Sequence, residues 1–350
     1  MITLGVCMIV RDEEAVLARC LDCVKSFADE IVIVDTGSRD ATKKIAARYS
    51  DLIFDFAWCD DFGKARNFSF SKSTADYIMW LDADDFIDTE NQQKMLRLKQ
   101  RLSLPDSPDC VMAKYVVSEA PSEFYYYRER ILRRVVGYVW QEPVHEVITP
   151  AGKIEYCDVE ILHKKVHPTP AKRNLNIYRK IIKSGKALSP RAQYYYAREL
   201  YYNGYYKKAI TTFDQFLASS GWVENKIDAC VLKSDCYIRL NKLKLAQSAL
   251  IQSFLFAAPR AKVACLLAEI LMQQKSYTYA VEWLNLATTL PRVDFGWIEP
   301  DFHNYRPYLD LSICYYFLNN RGKAKEYHDL AKSIHPSSPE ILYNSQFFDK

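Results

Sequence analysis

Tyr77-Ile78-Met79-Trp80-Leu81-Asp82-Ala83-Asp84-Asp85 is the stretch on which the first half of the chain turns. Five apolar residues suit a buried strand, and three carboxylates follow at once. Carboxylates two apart, on a turn leaving such a strand, can point into one cleft. There they can hold a divalent cation against a diphosphate, because Mg²⁺ and Mn²⁺ favour oxygen ligands. The same acids would also suit the cap of a helix starting near Thr89.

Working outward, short apolar runs alternate with amphipathic stretches. Ile2–Val10, Glu30–Val34, Leu52–Phe56 and Tyr77–Leu81 read as strands. Glu14–Phe27, Ala41–Tyr49 and Lys64–Ser73 have helical spacing. This alternation predicts a mainly parallel sheet covered on both faces. Ligands of such sheets bind beyond the carboxyl ends of the strands. Arg11-Asp12-Glu13-Glu14, Asp35-Thr36-Gly37-Ser38 and Asp82–Asp85 each follow a strand, so all three should open onto one rim. Cys110–Val116, Tyr125–Leu132 and Asp158–His163 read as further strands of an acceptor-side subdomain.

Three more constellations could carry chemistry. Asp35 ends a buried strand, where a carboxylate is costly unless paired or ligand-bound. A nucleobase imino group or a ribose hydroxyl would satisfy it, while Ser38 or Asp40 could cap the helix from Ala41. Phe62-Gly63-Lys64-Ala65-Arg66-Asn67 sets a glycine and two cations at a helix start, a seat for a diphosphate. Val144-His145-Glu146 offers Glu146 as a general base, and His163, at a strand end, could complete a metal site. Lone histidines in such positions are more often structural.

After about Pro170 the pattern changes to apolar and tyrosine-rich helices. Ala209, Ala246, Ala280 and Ala324 recur at intervals of 37, 34 and 44 residues. Twelve positions before each stands a small residue: Ala197, Ser234, Ala268, Ser312. Nine before stands a large one: Leu200, Tyr237, Leu271, Tyr315. The period is that of tetratricopeptide helix pairs, with an insertion over Arg292–Asn304 in the long interval. A generic helical bundle is the alternative. We therefore expect domains at 1–170 and 191–350, joined by a helical linker over 171–190.

The 350 residues carry a net charge of +4. That balance excludes a dedicated nucleic-acid binder. The first strand is too short to span a bilayer and lacks a cleavage site, so no integral membrane segment is expected. Ten scattered cysteines imply a reducing, cytoplasmic setting. Cys20 and Cys23 have CxxC spacing, but Leu17, Cys20, Leu21 and Val24 form an apolar helical stripe, which favours the core over zinc or redox chemistry. No G-x-G-x-x-G follows the first strand, so a dinucleotide-binding oxidoreductase lacks its phosphate turn.

In order and spacing, CMIVRDEE, EIVIVDTGSRDAT, FGKARN, YIMWLDADD, PVHE and ILH resemble glycosyltransferase family 2, over residues 2–165. The resemblance is strongest to the bacterial branch that carries tetratricopeptide repeats after the catalytic domain, which includes a bacteriocin S-glycosyltransferase. It implies a GT-A fold, an inverting mechanism, a nucleoside-diphosphate sugar donor (a UDP-sugar favoured) and Mg²⁺ or Mn²⁺. Met8, Ile9, Val10, Arg11, Glu13 and Asp35 match the segments that receive the nucleoside. Arg66 matches a basic residue near the diphosphate. Asp82 and Ala83 begin the DxD motif at the donor and metal, and Asp84 matches the direct metal ligand. His163 matches a histidine that also binds metal, and Glu146 falls where acceptor-side catalytic groups stand. Arg11-Asp12 replaces the usual Tyr-Asn, and Lys164-Lys165 replaces a glycine or aromatic. The repeats favour a peptide or protein acceptor, or a homodimer. A polysaccharide or lipopolysaccharide acceptor and a catalytically degenerate scaffold are the alternatives.

Overall fold

The computed structural model describes residues 2–119, 122–164, 166, 172–292 and 299–348. Lys165 and residues 293–298 of the expected insertion lie outside them. The chain divides into two compact units, Met1–Ser118 with Phe124–Ser184, and Glu119–Glu123 with Gly185–Lys350.

The first unit runs β1 (Leu4–Val10), α1 (Leu17–Val24), β2 (Glu30–Asp35), α2 (Thr42–Ala46), β3 (Ile53–Asp55), α3 (Phe62–Phe70), β4 (Tyr77–Trp80), β5 (Asp85–Phe86) and α4 (Thr89–Leu102). Then follow β6 (Cys110–Glu119), β7 (Ser122–Arg133), β8 (Ile154–His163) and α5 (Arg173–Lys183). The strands form one sheet in the order β3-β2-β1-β4-β7-β6-β8-β5. β3, β2, β1 and β4 pair in parallel, as the alternation predicts. Beyond them the sheet is mixed: β4 meets β7 antiparallel, β6 meets β8 in parallel, and β5 meets β8 antiparallel.

β1 is buried on both faces, which is why it reads as an unbroken apolar run. Leu4, Val6, Met8 and Val10 pack with α1 and with Met95, Leu98 and Leu102 of α4. Cys7 faces the other side with Val32, Val34, Ile78 and a set of phenylalanines. Cys20 and Cys23 are core residues, and all ten cysteines are free thiols. Burial pushes the Cys20 thiol well above its ordinary range.

The helices on the rim are shorter than their spacing suggests, because their leading residues knit the loops together. The amide of Asp12 donates to Ser38 Oγ (3.0 Å), and that of Arg39 to Asp12 Oδ1 (2.7 Å). The amide of Glu14 donates to Asp40 Oδ2 (3.0 Å), and that of Ala41 to Glu14 Oε2 (2.8 Å). α1 thus starts at Leu17. Ser38 bonds Asp12 instead of capping α2, whereas Asp40 Oδ1 accepts from the Thr42 amide at the start of α2 (2.9 Å). Asp88 caps α4 through the Asn91 amide (2.9 Å), so that duty does not fall on Asp82, Asp84 or Asp85. α5, read from sequence as a linker, lies in the first unit. Its Tyr178 is fully buried and donates to the Val144 carbonyl (3.3 Å).

The second unit is a series of helices: α6 (Pro190–Tyr202), α7 (Tyr206–Leu217), α8 (Val223–Arg239), α9 (Leu243–Gln252), α10 (Ala261–Gln273), α11 (Tyr277–Thr289), α12 (Tyr305–Phe317), α13 (Arg321–Ile334) and α14 (Pro339–Ser345). The four marker alanines are inaccessible on the second helix of each pair, and their small partners are buried on the first. Five residues before each alanine the backbone turns left-handed, at Gly204 (φ 77°), Asn241 (φ 56°), Lys275 (φ 59°) and Asn319 (φ 57°). The next amide then donates back to the carbonyl of the large residue of the repeat: Tyr205 to Leu200, Lys242 to Tyr237, Ser276 to Leu271, Asn320 to Tyr315, at 2.8–2.9 Å. This is a repeated Schellman closure. α14 ends the series by burying Ile341 against Tyr305, Leu309 and Ala331. Among the described residues no helix is long and apolar enough to cross a membrane.

Candidate donor and metal site

The acidic turn is positioned by a two-residue strand. β5 pairs with the end of β8 so that Asp85 lies opposite His163, 78 positions later and the Lys164 amide donates to the Asp84 carbonyl (3.0 Å). His163 Nδ1 lies 3.5 Å from Asp84 Oδ1, 3.8 Å from Asp85 Oδ1, and 2.7 Å from the Tyr115 hydroxyl. Among the described residues, Asp84, Asp85 and His163 are the group whose ligand atoms all lie within 4.8 Å of one another. Asp85 is fully buried. Its Oδ2 accepts from the Asp82 amide (3.0 Å) and from Arg130 Nη1 (3.1 Å), while its Oδ1 has no hydrogen-bond partner. Burial raises the Asp84 carboxyl, with His163 opposing and Asp82 and Asp85 reinforcing. Glu13 is pushed up to about 7, first by burial, then by Asp84, Asp82, Asp40 and Asp12. Acids crowded to this degree suit a divalent cation, which would remove their mutual repulsion. Asp84, Asp85 and His163 offer two oxygens and an imidazole nitrogen, a donor set compatible with a divalent cation.

Asp82 is oriented differently from its neighbours. Its Oδ1 accepts from Arg66 Nη2 (2.7 Å), and Arg66 Nε donates to Glu146 Oε1 (2.7 Å). Arg66, Arg130 and Arg128 hold the Asp82 carboxyl below its ordinary range although burial opposes them. The Arg66 guanidinium also lies against Trp80 (5.0 Å) and Trp140 (4.9 Å) and is 7% exposed. It is thus a fixed bridge between the DxD turn and Glu146.

The rest of FGKARN holds Glu146's loop in place. A side chain at Gly63 would meet the Glu142 carbonyl at 2.6 Å, so only glycine permits that approach. The Phe62 amide donates to the Pro143 carbonyl (2.8 Å), and Asn67 bonds both the amide and the carbonyl of Trp140 (2.8 and 2.9 Å). The loop is closed by the Gln141–Val147 backbone pair and carries Glu142 and His145 at φ 70° and 54°. Such left-handed residues cost roughly 1–3 kcal/mol each and persist where surroundings enforce them.

On the other side of the rim, Asp35 is 2% exposed. Its Oδ1 accepts from the amides of Gly37 (2.9 Å) and Ser38 (3.0 Å), and its buried Oδ2 has no partner. The side chains of Met8 and Val10 belong to the core, the half-buried Ile9 packs on the opposite face with Cys7, Val32, Val34 and Ile78, and all three pair with β2 through their backbone. The Val10 carbonyl is taken by Thr36. Arg11 is exposed and Ala83 is buried.

The structure brings the expected Asp84 and His163 together and leaves Asp35 at the end of β2, while the buried Asp85–Arg130 pair, Tyr115 and the Arg66–Glu146 contact had not been read from the sequence. The only signal for Asp85 was a third acid in the turn, and none pointed to Arg130.

Residues 5–154 match the model of glycosyl transferase family 2. A TPR repeat-containing protein of Synechococcus elongatus is 34% identical over 42% of this chain and 36% of its own length. The SPbeta prophage-derived glycosyltransferase SunS of Bacillus subtilis is 25% identical over 66% of this chain and 58% of its own. The chain thus spans between a third and three-fifths of these relatives. Among solved structures, S. aureus TarS 1-349 in complex with UDP superposes with a TM-score of 0.40 at 13% identity, over 71% of this chain and 90% of that one.

Proposed function

We propose that the chain is an inverting glycosyltransferase that moves a sugar from a nucleoside-diphosphate donor to a peptide or protein side chain. The observation that carries this is the partnerless buried oxygen of Asp35 on the same rim as Asp84, Asp85 and His163. A carboxylate oxygen accepts and cannot donate, which suits the imino N–H of uracil, thymine or guanine over cytosine or adenine, and the family resemblance favours a UDP-sugar among them. The backbone of Met8–Arg11, with Glu13 and Ala83, would line the nucleoside and ribose.

Asp84 and His163 would hold a divalent cation, with Asp85 beside them and Asp82 turned toward Arg66. When bound, the cation supplies positive charge against the departing diphosphate. Arg66 serves the donor by fixing the Asp82 carboxylate. Glu146, held on the same guanidinium, takes the proton from the acceptor's nucleophile. That nucleophile bonds to the anomeric carbon from the face opposite the diphosphate. The bond to the phosphate oxygen breaks, its electrons leave with the nucleoside diphosphate, and the configuration inverts. The repeats would present the acceptor on their concave side.

Calorimetry with UDP, GDP, ADP and CDP, each with and without Mn²⁺, tests the donor side. Selective, Mn²⁺-strengthened binding of UDP is expected. Equal binding of all four, or none, overturns the reading.

A further inference from the structure

Arg130, the buried partner of Asp85, has no role in the scheme above, yet the pair spans the acidic turn. Both residues are fully buried. Arg130 Nη1 donates to the Trp80 carbonyl (3.1 Å), at the last residue of β4, and to Asp85 Oδ2 (3.1 Å). The same Asp85 oxygen accepts from the Asp82 amide (3.0 Å). One guanidinium therefore ties the start of the turn to its end. Its plane is fixed from two sides, over Trp80 (3.7 Å) and Tyr115 (4.6 Å). Tyr115 in turn bonds His163 (2.7 Å).

We propose that Arg130 is a positioning residue for the cation: it sets the Asp82–Asp85 turn and aims the free Asp85 oxygen at the position between Asp84 and His163. This rests on the donor and metal reading given above. Asp85 Oδ2 takes both bonds, and Oδ1 makes no hydrogen bond and stands 3.8 Å from His163 Nδ1, while Arg130 Nε and Nη2 are buried without hydrogen-bond partners as well. A buried carboxylate oxygen without a partner is costly, and a bound cation is a partner that would repay it. The guanidinium plane suits this task because both its faces are packed, over Trp80 and Tyr115, while Nη1 serves the Trp80 carbonyl and Asp85.

The test measures Mn²⁺ affinity of the full chain by electron paramagnetic resonance, with melting temperature in parallel. Arg130→Gln is expected to weaken Mn²⁺ binding by about 10–100-fold, the usual scale for groups that orient metal ligands. Arg130→Lys should recover part of that loss. Loss of one partner of a buried pair can unfold a protein, so Asp85→Asn is the second variant. It keeps the shape and the acceptor for Asp82 and Arg130 but removes the negative charge, and should weaken Mn²⁺ to a similar degree. A packing role would lower the melting temperature and leave the affinity of the folded variants unchanged. Wild-type affinity in folded Asp85→Asn and Arg130→Gln overturns the positioning role alone. A wild-type protein that binds no Mn²⁺ overturns the metal reading beneath it.

Discussion

Replacing Asp35 by asparagine should move stability and affinity in opposite directions. Asp35 Oδ1 is satisfied by the Gly37 and Ser38 amides, and asparagine can keep that oxygen in place. The change falls on Oδ2, which is buried and unbonded in the free protein. An amide group there relieves a buried carboxylate, whose unmet hydrogen bonding costs ~1–3 kcal/mol. The free protein should therefore melt higher, by the equivalent of about 1 kcal/mol after the amide's own desolvation. The bound state suffers instead. A hydrogen bond to a charged group is worth about 1.5–3 kcal/mol, so UDP affinity should fall by roughly 10–150-fold. Asparagine also sets a donor against the donating base. Calorimetry with UDP and Mn²⁺, beside a thermal melt, reads both signs. An unchanged dissociation constant in the folded variant refutes the nucleoside role of Asp35.

Glu146→Gln should slow transfer by about 10²–10⁴-fold at saturating donor, with UDP affinity within about twofold, as for a positioned base. Initial rates against donor concentration separate the two, and lost donor affinity with normal turnover moves Glu146 to the nucleotide side. A chain ending at Ser184, which keeps α5 and its buried Tyr178, should retain UDP binding and lose transfer to the acceptor. Unchanged transfer by that folded truncation would leave self-association as the task of the repeats. In the second unit, burial pushes the Asp310 carboxyl up to about 7, with Arg306 opposing and Glu269 reinforcing. Its native state thus holds a proton that the unfolded chain gives up near pH 4, so its contribution is present below that pH and is lost as pH rises toward 7. Asp310→Asn should flatten this decline and stabilise the protein at pH 8 by ~1–3 kcal/mol, read by denaturant titration at pH 5 and 8. A wild-type curve flat from pH 5 to 8 refutes it.

Local signals carried much of this fold into view. β1, β2 and β4 were legible because strands buried on both faces are unbroken apolar runs. The repeats were legible because a small residue, a large one and an alanine recur at fixed offsets. The left-handed turns were hidden, since Lys275 and Asn319 stand where glycine is the usual sign. At the site, Asp35, Asp82 and Asp84 showed themselves as acids at strand ends. What stayed hidden was non-local. His163 meets Asp85 through a strand of two residues, too short to have any periodicity. Arg66 looked like a cation awaiting a phosphate, because nothing in FGKARN reveals that Trp80, Trp140, Asp82 and Glu146 enclose it. Gly63, read as part of the same phosphate seat, also makes room for the Glu142 backbone, which no local pattern announces.

The most direct measurement is release of nucleoside diphosphate from a panel of nucleotide sugars, with water as a slow acceptor. The account predicts that the full chain hydrolyses a UDP-sugar in Mn²⁺ or Mg²⁺. Release should stop with chelator and in a folded Asp84→Asn variant. Consumption of no donor, or equal release in chelator or by Asp84→Asn, would contradict it.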